Sequence, residues 1–294
     1  MKRRTNIAAV AIACAVFGSA AAAPTAGATV VRKVSERTFP FTASGEIKIE
    51  SQNGRIVVEA WDRPEVRVQI TREVRATSVG ESEQLMKQLS ADITVHPDQI
   101  HIVSVYPKQK KVVGLWDWLG HGARSVNIHY YLQVPRQTSL DLGTSNGEIR
   151  VRATEGSLYA GTTNGDIEAS AVRGSVNAST TNGGVRLARI QGTADATTTN
   201  GSVEVEILAL PDTGKMHIRS TNGNLALTLP RDVHATLEAE TTNGRVNIGY
   251  PLTTQGVTSS KSIRGTIGGG GPRIALETTN GSIDVGPPSR AAAR

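Results

Sequence analysis

TSNGEIRV (residues 144–151) is followed by TTNGDIEA (162–169), TTNGGVRL (180–187) and TTNGSVEV (198–205), so that Asn146, Asn164, Asn182 and Asn200 recur every 18 residues. Repeats of this length mark stacked or tandem architectures. Three further copies carry Asn222, Asn243 and Asn280, after intervals of 22, 21 and 37 residues, and a lone early copy carries Asn53. The following residues Gly54, Gly147, Gly165, Gly183, Gly201, Gly223, Gly244 and Gly281 complete the dipeptide. Beyond each glycine, apolar residues stand two and four positions on, as in Ile149 and Val151, Ile167 and Ala169, Val185 and Leu187, and Val203 and Val205. This is period two, the mark of a strand with one face inward. Nine residues after the glycine of most central copies comes a half-repeat, Gly156, Gly174 and Gly192, followed by Leu158, Val176 and Ala194.

Two strands and two bends in each of these repeats predict an all-β fold, a parallel β-solenoid or β-helix-like arrangement with one coil to a repeat and one short helix elsewhere. Successive coils are then about 4.8 Å apart. Tandem antiparallel hairpins with Asn-Gly turns give the same alternation. The constant spacing favours the coil, because one positional role returns once per turn. The Asn-Gly pairs are read as structural turns rather than catalytic groups, with the Thr pairs before them on an exposed edge. The stretch from Gly265 to Gly271 is read as an excursion loop.

Composition limits the chemistry. Aromatic residues are 4% of the 294, and the single cysteine, Cys14, lies near the start. An aromatic-lined cofactor pocket and thiol chemistry are therefore not expected, and no cofactor is assigned. Half of the formal charge of +6 comes from Lys2, Arg3 and Arg4. No Lys/Arg stripe remains to bind nucleic acid. Residues 1–28 read as a secretory signal, with a basic start, an apolar stretch from Ile7 to Phe17 and small residues up to Ala28. A membrane span is expected only there, if the leader stays uncleaved. No HExxH spacing, GxSxG elbow or phosphate loop is present. The bends lack the acidic residues of calcium-binding β-rolls. Asp166, Asp195 and Asp284 form no evident pair for a glycan-cleaving site.

The repeated set, together with the leader and the segment GEIKIESQNGRIVVEAW (45–61), resembles the bacterial DUF4097 family of exported, adhesin-like domains. The resemblance runs from about Phe39 to Val285 and implies a β-solenoid associated with the cell envelope. It carries no catalytic residues over. The departures are a Trp-bearing segment, GLWDWLG (114–120), and the late Gly-rich stretch.

The expected organisation is a signal peptide (1–28), an N-terminal β region with a short helix and a Trp-bearing loop (29–135), an Asn-Gly repeat solenoid (136–286) and a disordered tail (287–294). The helix is placed over Glu81 to Ser90, covering an apolar edge. Trp116 and Trp118 are candidate partner contacts, and Trp61 is read as packed. The expected function is an exported envelope protein without catalytic activity that binds an envelope protein, a glycan or itself. A carbohydrate-binding module is the alternative, and a polysaccharide-active β-helix enzyme the next.

Overall fold

The computed structural model of the chain describes residues 29–42, 44–107, 125–254 and 259–288. The leader, Trp116, Trp118 and the last six residues lie outside the described residues. Four strands come first, β1 (Thr29–Pro40), β2 (Glu46–Glu50), β3 (Ile56–Trp61) and β4 (Glu65–Ala76), and then the helix α1 (Val79–Gln88). After it come β5 (Ser90–Val95), β6 (Gln99–Val105) and β7 (Ser125–Pro135).

The repeat supplies strands in pairs, one before and one after each Asn-Gly. They are β8 (Ser139–Gly143) with β9 (Ile149–Arg152), β10 (Leu158–Gly161) with β11 (Ile167–Ser170), and β12 (Val176–Asn182) with β13 (Val185–Gln191). Next are β14 (Ala194–Asn200) with β15 (Val203–Ala209), β16 (Lys215–Asn222) with β17 (Leu225–Thr228), and β18 (Ala235–Asn243) with β19 (Val246–Ile248). Then β20 (Thr253–Thr254) and β21 (Ser262–Ile267) precede the last pair, β22 (Arg273–Asn280) with β23 (Ile283–Gly286).

Strands that enter an Asn-Gly corner share one 12-stranded sheet, and strands that leave it share an 11-stranded sheet. Within the repeat, neighbours are parallel. Ile167 lies between its counterparts in the flanking repeats, Ile149 and Val185, and Val176 lies between Leu158 and Ala194. Tandem antiparallel hairpins are thereby excluded for the repeat. Each pair of strands forms one rung of a solenoid-like stack. The period-two side chains of both sheets, from Ile149 and Leu158 to Ile283 and Leu276, are buried in a single apolar core.

The stack begins before residue 136. Strands β2 and β3, which flank Asn53, pair in parallel with β8 and β9. Beyond them lie β6 and β7, also parallel. Antiparallel strands then end the sheets, β4 and β1 on one and β5 on the other. Helix α1 starts at Ser78, whose hydroxyl accepts the Glu81 N–H at 3.3 Å. It buries Met86 and lies against β1 and β4, and the Arg72 guanidinium holds the Leu89 carbonyl at its end at 2.9 Å. The helix thus lies over the N-terminal end of the core, as an open end of apolar strands requires.

Chain order is kept from Asn146 to Asn222 and then broken. Strand β22 lies between β16 and β18, and β23 between β17 and β19. The last rung in the sequence is therefore the last but one in space. The stretch from Gly265 to Gly271 is not simply an excursion loop: up to Ile267 it belongs to β21, antiparallel to β18. Only the turn that follows crosses over, through Gly268, Gly269 and Gly270 at φ of 59°, 91° and 94°. Three successive left-handed residues strongly favour glycine. A Cβ on Gly271 would lie 2.6 Å from the His234 carbonyl oxygen, so the crossing also has no room for one.

Candidate interaction surface

Three sets of hydrogen bonds build the Asn-Gly corner. In the first, the glycine N–H donates to the Asn carbonyl of the next rung, as from Gly165 to Asn182 at 2.9 Å and from Gly183 to Asn200 at 3.0 Å. In the second, the carboxamides form an unbroken ladder. Each Nδ2 donates to the Oδ1 of the adjacent rung, in the spatial order Asn53, Asn146, Asn164, Asn182, Asn200, Asn222, Asn280, Asn243, at 2.7–2.9 Å. Identical amides in register are the usual source of such ladders. Tyr106 meets the first corner, where its hydroxyl accepts the Asn53 N–H at 2.9 Å and donates to the Asn53 carbonyl at 2.8 Å.

The third set corrects the reading of the Thr pairs. The first residue of each pair is buried: Thr144, Thr162, Thr180, Thr198, Ser220, Thr241 and Thr278. Its hydroxyl reaches the glycine carbonyl of the adjacent rung, as from Thr180 to Gly165 at 3.0 Å and from Thr198 to Gly183 at 2.9 Å. A carbonyl at a tight corner lies outside the strand ladder and must find a donor when buried. Only the second residue is exposed: Ser145, Thr163, Thr181, Thr199, Thr221, Thr242 and Thr279.

The glycines are set by space. A Cβ on Gly201 would lie 2.0 Å from the Gly183 carbonyl oxygen, and one on Gly183 2.1 Å from that of Gly165. The same contact recurs along the column, so the corner residues pack backbone to backbone.

The resulting face carries two adjacent columns of neutral polar groups, the exposed hydroxyls and the carboxamides. Charged pairs one rung apart line the outer faces of the sheets, among them Arg150–Glu168 at 2.8 Å, Arg186–Glu204 at 3.2 Å and Lys48–Asp141 at 3.2 Å. The Asp141 carboxylate, through its hydrogen bond, raises the Lys48 ammonium above the ordinary lysine value. Exposed pairs of this kind contribute about 0–1 kcal/mol each. Trp61 is partly buried; its indole donates to the Glu65 carbonyl at 2.8 Å, with Arg63 and Arg67 5.1 and 5.7 Å from the ring centre. Tyr159 points outward and is 56% exposed.

Concave sites are shallow. A depression of about 450 Å³ is lined by Pro40, Phe41, Pro64, Val95, His96 and Pro97. A second, of about 290 Å³, is lined by Arg55, Val57, Thr71, His129, Tyr130 and Tyr131. Burial lowers the His129 imidazole below the ordinary histidine range, and its Nδ1 accepts the Arg55 N–H at 3.1 Å. His101 lies on β6 of the other sheet, so His101 and His129 sit on different sheets. Among the described residues no group of three or more His, Cys, Asp or Glu is placed to hold a metal ion, and no helix is long and apolar enough to cross a membrane. Trp116 and Trp118, the candidate partner contacts, lie outside the described residues.

Solved structures with a similar arrangement are distant in sequence. One, described as a "putative cell adhesion protein" from Clostridium sporogenes, is 11% identical, with a TM-score of 0.32 over 87% of this chain and 100% of that one. A "putative adhesin" from Bacteroides fragilis is 13% identical, with a TM-score of 0.39 over 86% of this chain and 97% of that one. A "putative lipid binding protein" from Parabacteroides distasonis is 13% identical, with a TM-score of 0.29 over 86% and 96%. At such identities and scores they fix no partner for this chain. No curated protein sequence matches it. The expected resemblance from Phe39 to Val285 is met over a narrower span: residues 174–286, which hold the corners of Asn182, Asn200, Asn222, Asn243 and Asn280, match the family described as Toastrack DUF4097.

Proposed function

We propose that the chain is an exported, non-catalytic interaction protein of the cell envelope, adhesin-like in kind. Its repeat is a parallel β-solenoid, one coil to each of the central copies, that acts as a rigid display surface. Residues 1–28 direct export, 29–135 form the N-terminal region of the stack, 136–286 its repeat, and 287–294 a tail.

One observation carries this reading: the unbroken column of eight corner carboxamides beside a column of exposed hydroxyls. Neutral, hydrogen-bonding and regular, such a face suits a partner that also repeats, a glycan or an extended protein segment. Its geometry is set by the backbone, so little order has to be created on binding.

The test is capture from envelope fractions with the full chain. Replacing Thr163, Thr181 and Thr199 by Lys together places three like charges on the column and is expected to abolish capture. The Trp116→Ala/Trp118→Ala variant is expected to retain it. Capture unaffected by the Lys replacements removes the column from the reading, and turnover of an envelope polymer by the pure chain would overturn the non-catalytic assignment. Retention of a polysaccharide alone makes the chain a carbohydrate-binding module.

A further inference from the structure

Among the described residues the sheets have four outermost strands, and they differ greatly in length. Strand β19 has 3 residues, β20 has 2 and β5 has 6, whereas β1 has 12. Proteins keep exposed edges short, because a long row of free N–H and C=O groups templates pairing with another chain. On its other side β1 is already bonded to β4, from Thr29 beside Ala76 to Pro40 beside Glu65. Val30 and Val34 on this strand are 44% and 51% exposed. They share the outer face with Arg32 and Glu36, since Val31 and Phe39 pack toward the core.

The charges on this strand select a register. In antiparallel self-pairing, residues opposite one another lie on the same face. A two-fold axis at Lys33 sets Lys33 against itself, and one at Ser35 sets Lys33 against Arg37. Axes at Arg32, Glu36 or Arg37 each set a charge against its own copy. An axis at Val34 places Arg32 opposite Glu36 twice, Val34 against Val34, Val30 opposite Thr38, Lys33 opposite Ser35 and Val31 opposite Arg37. It joins two opposite-charge pairs with no like-charge pair, and such pairs are what stabilise cross-strand contacts.

We propose that two copies of this chain associate through antiparallel pairing of their β1 strands about a two-fold axis at Val34, joining the two 11-stranded sheets into one. The pairing is isologous, as a closed dimer requires. The charges are held in place beforehand. Arg32 is bonded to Glu73 at 2.6 Å, and Glu36 to Arg67 at 3.2 Å. Across the axis these become two rows of alternating sign, Glu73, Arg32, then Glu36 and Arg67 of the second copy.

The proposal rests on the interaction reading only in kind, and its test separates the two. The chain has a single native cysteine, Cys14. Opposed residues across an antiparallel pair have Cα atoms about 4.5–5.5 Å apart, within disulfide reach. Under mild oxidation Val34→Cys therefore gives a linked dimer, mapped by peptide mass to position 34 of both copies, and Val30→Cys does not. By sedimentation equilibrium, Arg32→Glu weakens the dimer about tenfold, and Arg32→Glu/Glu36→Arg restores it although the pairs to Glu73 and Arg67 are lost. Thermal unfolding shows whether each variant is folded. A monomer at all concentrations, equal linkage at positions 30 and 34, or a dimer indifferent to Arg32→Glu overturns the proposal. A monomer that still captures an envelope partner overturns it and leaves the proposed function standing.

Discussion

The chain turns twice in each repeat, at the Asn-Gly corner within a rung and at an opposite corner that leads to the following strand pair, and the two corners are built differently. At the Asn-Gly corner every rung from Asn146 to Asn280 presents the same local pattern, with its carboxamide ladder, buried hydroxyls and glycine column, and Asn53 extends the ladder by one rung with Ser51 and Gln52 before it. The opposite corner takes up the changes in length. The 22-residue interval between Asn200 and Asn222 adds its four residues there, around Pro211 to Gly214, and the 21-residue interval adds Pro230 to Asp232. The whole of β4, α1 and β5 also departs from that side, after β3. The opposite corner is nonetheless ordered. Ala153, Ala171 and Arg189 take left-handed φ of 60°, 55° and 59°, at the same place in three successive repeats. A left-handed non-glycine residue costs about 1–2 kcal/mol. Repetition thus enforces backbone shape at both corners. Within the repeat, the changes in length fall at the corner that lacks a continuous side-chain ladder.

The sharpest test of this contrast is glycine against glycine. Gly201→Ala puts a methyl group 2.0 Å from the Gly183 carbonyl, where only backbone can give way. We expect a loss of about 3 kcal/mol or more in denaturant unfolding. Gly214→Ala at the opposite corner meets only side chains, the Thr193 methyl at 3.2 Å and the Pro211 ring at 3.8 Å, and has φ of 144°; about 1 kcal/mol is expected. Equal losses would erase the distinction between the corners.

Next in size is the buried hydroxyl. Thr198→Val keeps the shape and removes the donor to Gly183. A buried carbonyl left without its partner costs about 1–3 kcal/mol. Asn182→Ala removes two carboxamide bonds, to Asn164 and from Asn200. Its site is exposed, so water replaces much of what is lost, and about 1 kcal/mol is expected. If Asn182→Ala proves the more damaging of the two, the ladder rather than the buried hydroxyl holds the corner together. The smallest effect has the opposite sign. Arg189→Gly relieves a left-handed backbone but adds freedom to the unfolded chain, and a gain of about 0.5 kcal/mol in the same measurement is expected.

Much of the stack was legible because one residue pair has one role. The Asn-Gly spacing and the period-two apolar residues beyond it gave the rungs of the repeat, their parallel neighbours and their inward faces. The buried hydroxyls were not legible. Thr180 and Thr181 look alike in the sequence, and only the glycine carbonyl of the adjacent rung tells them apart. Neither was the strand β1, where Val30-Val31 and Arg32-Lys33 break the alternation, as an edge strand with few buried residues permits. The insertion of β22 and β23 left no local trace, because the corner of Asn280 has the same chemistry as that of Asn243. For the interaction surface, the repeat gave the columns but not which hydroxyl of each pair faces solvent.

The placement of β22 and β23 has a mechanical consequence. In a stack that ended in chain order, tension on the C-terminus would peel the outermost strand one bond at a time. Here the final strands are bonded on both sides, to β16 and β18 and to β17 and β19. Tension at that terminus loads two ladders together in shear. The molecule is fastened at the end where a simple coil would unravel.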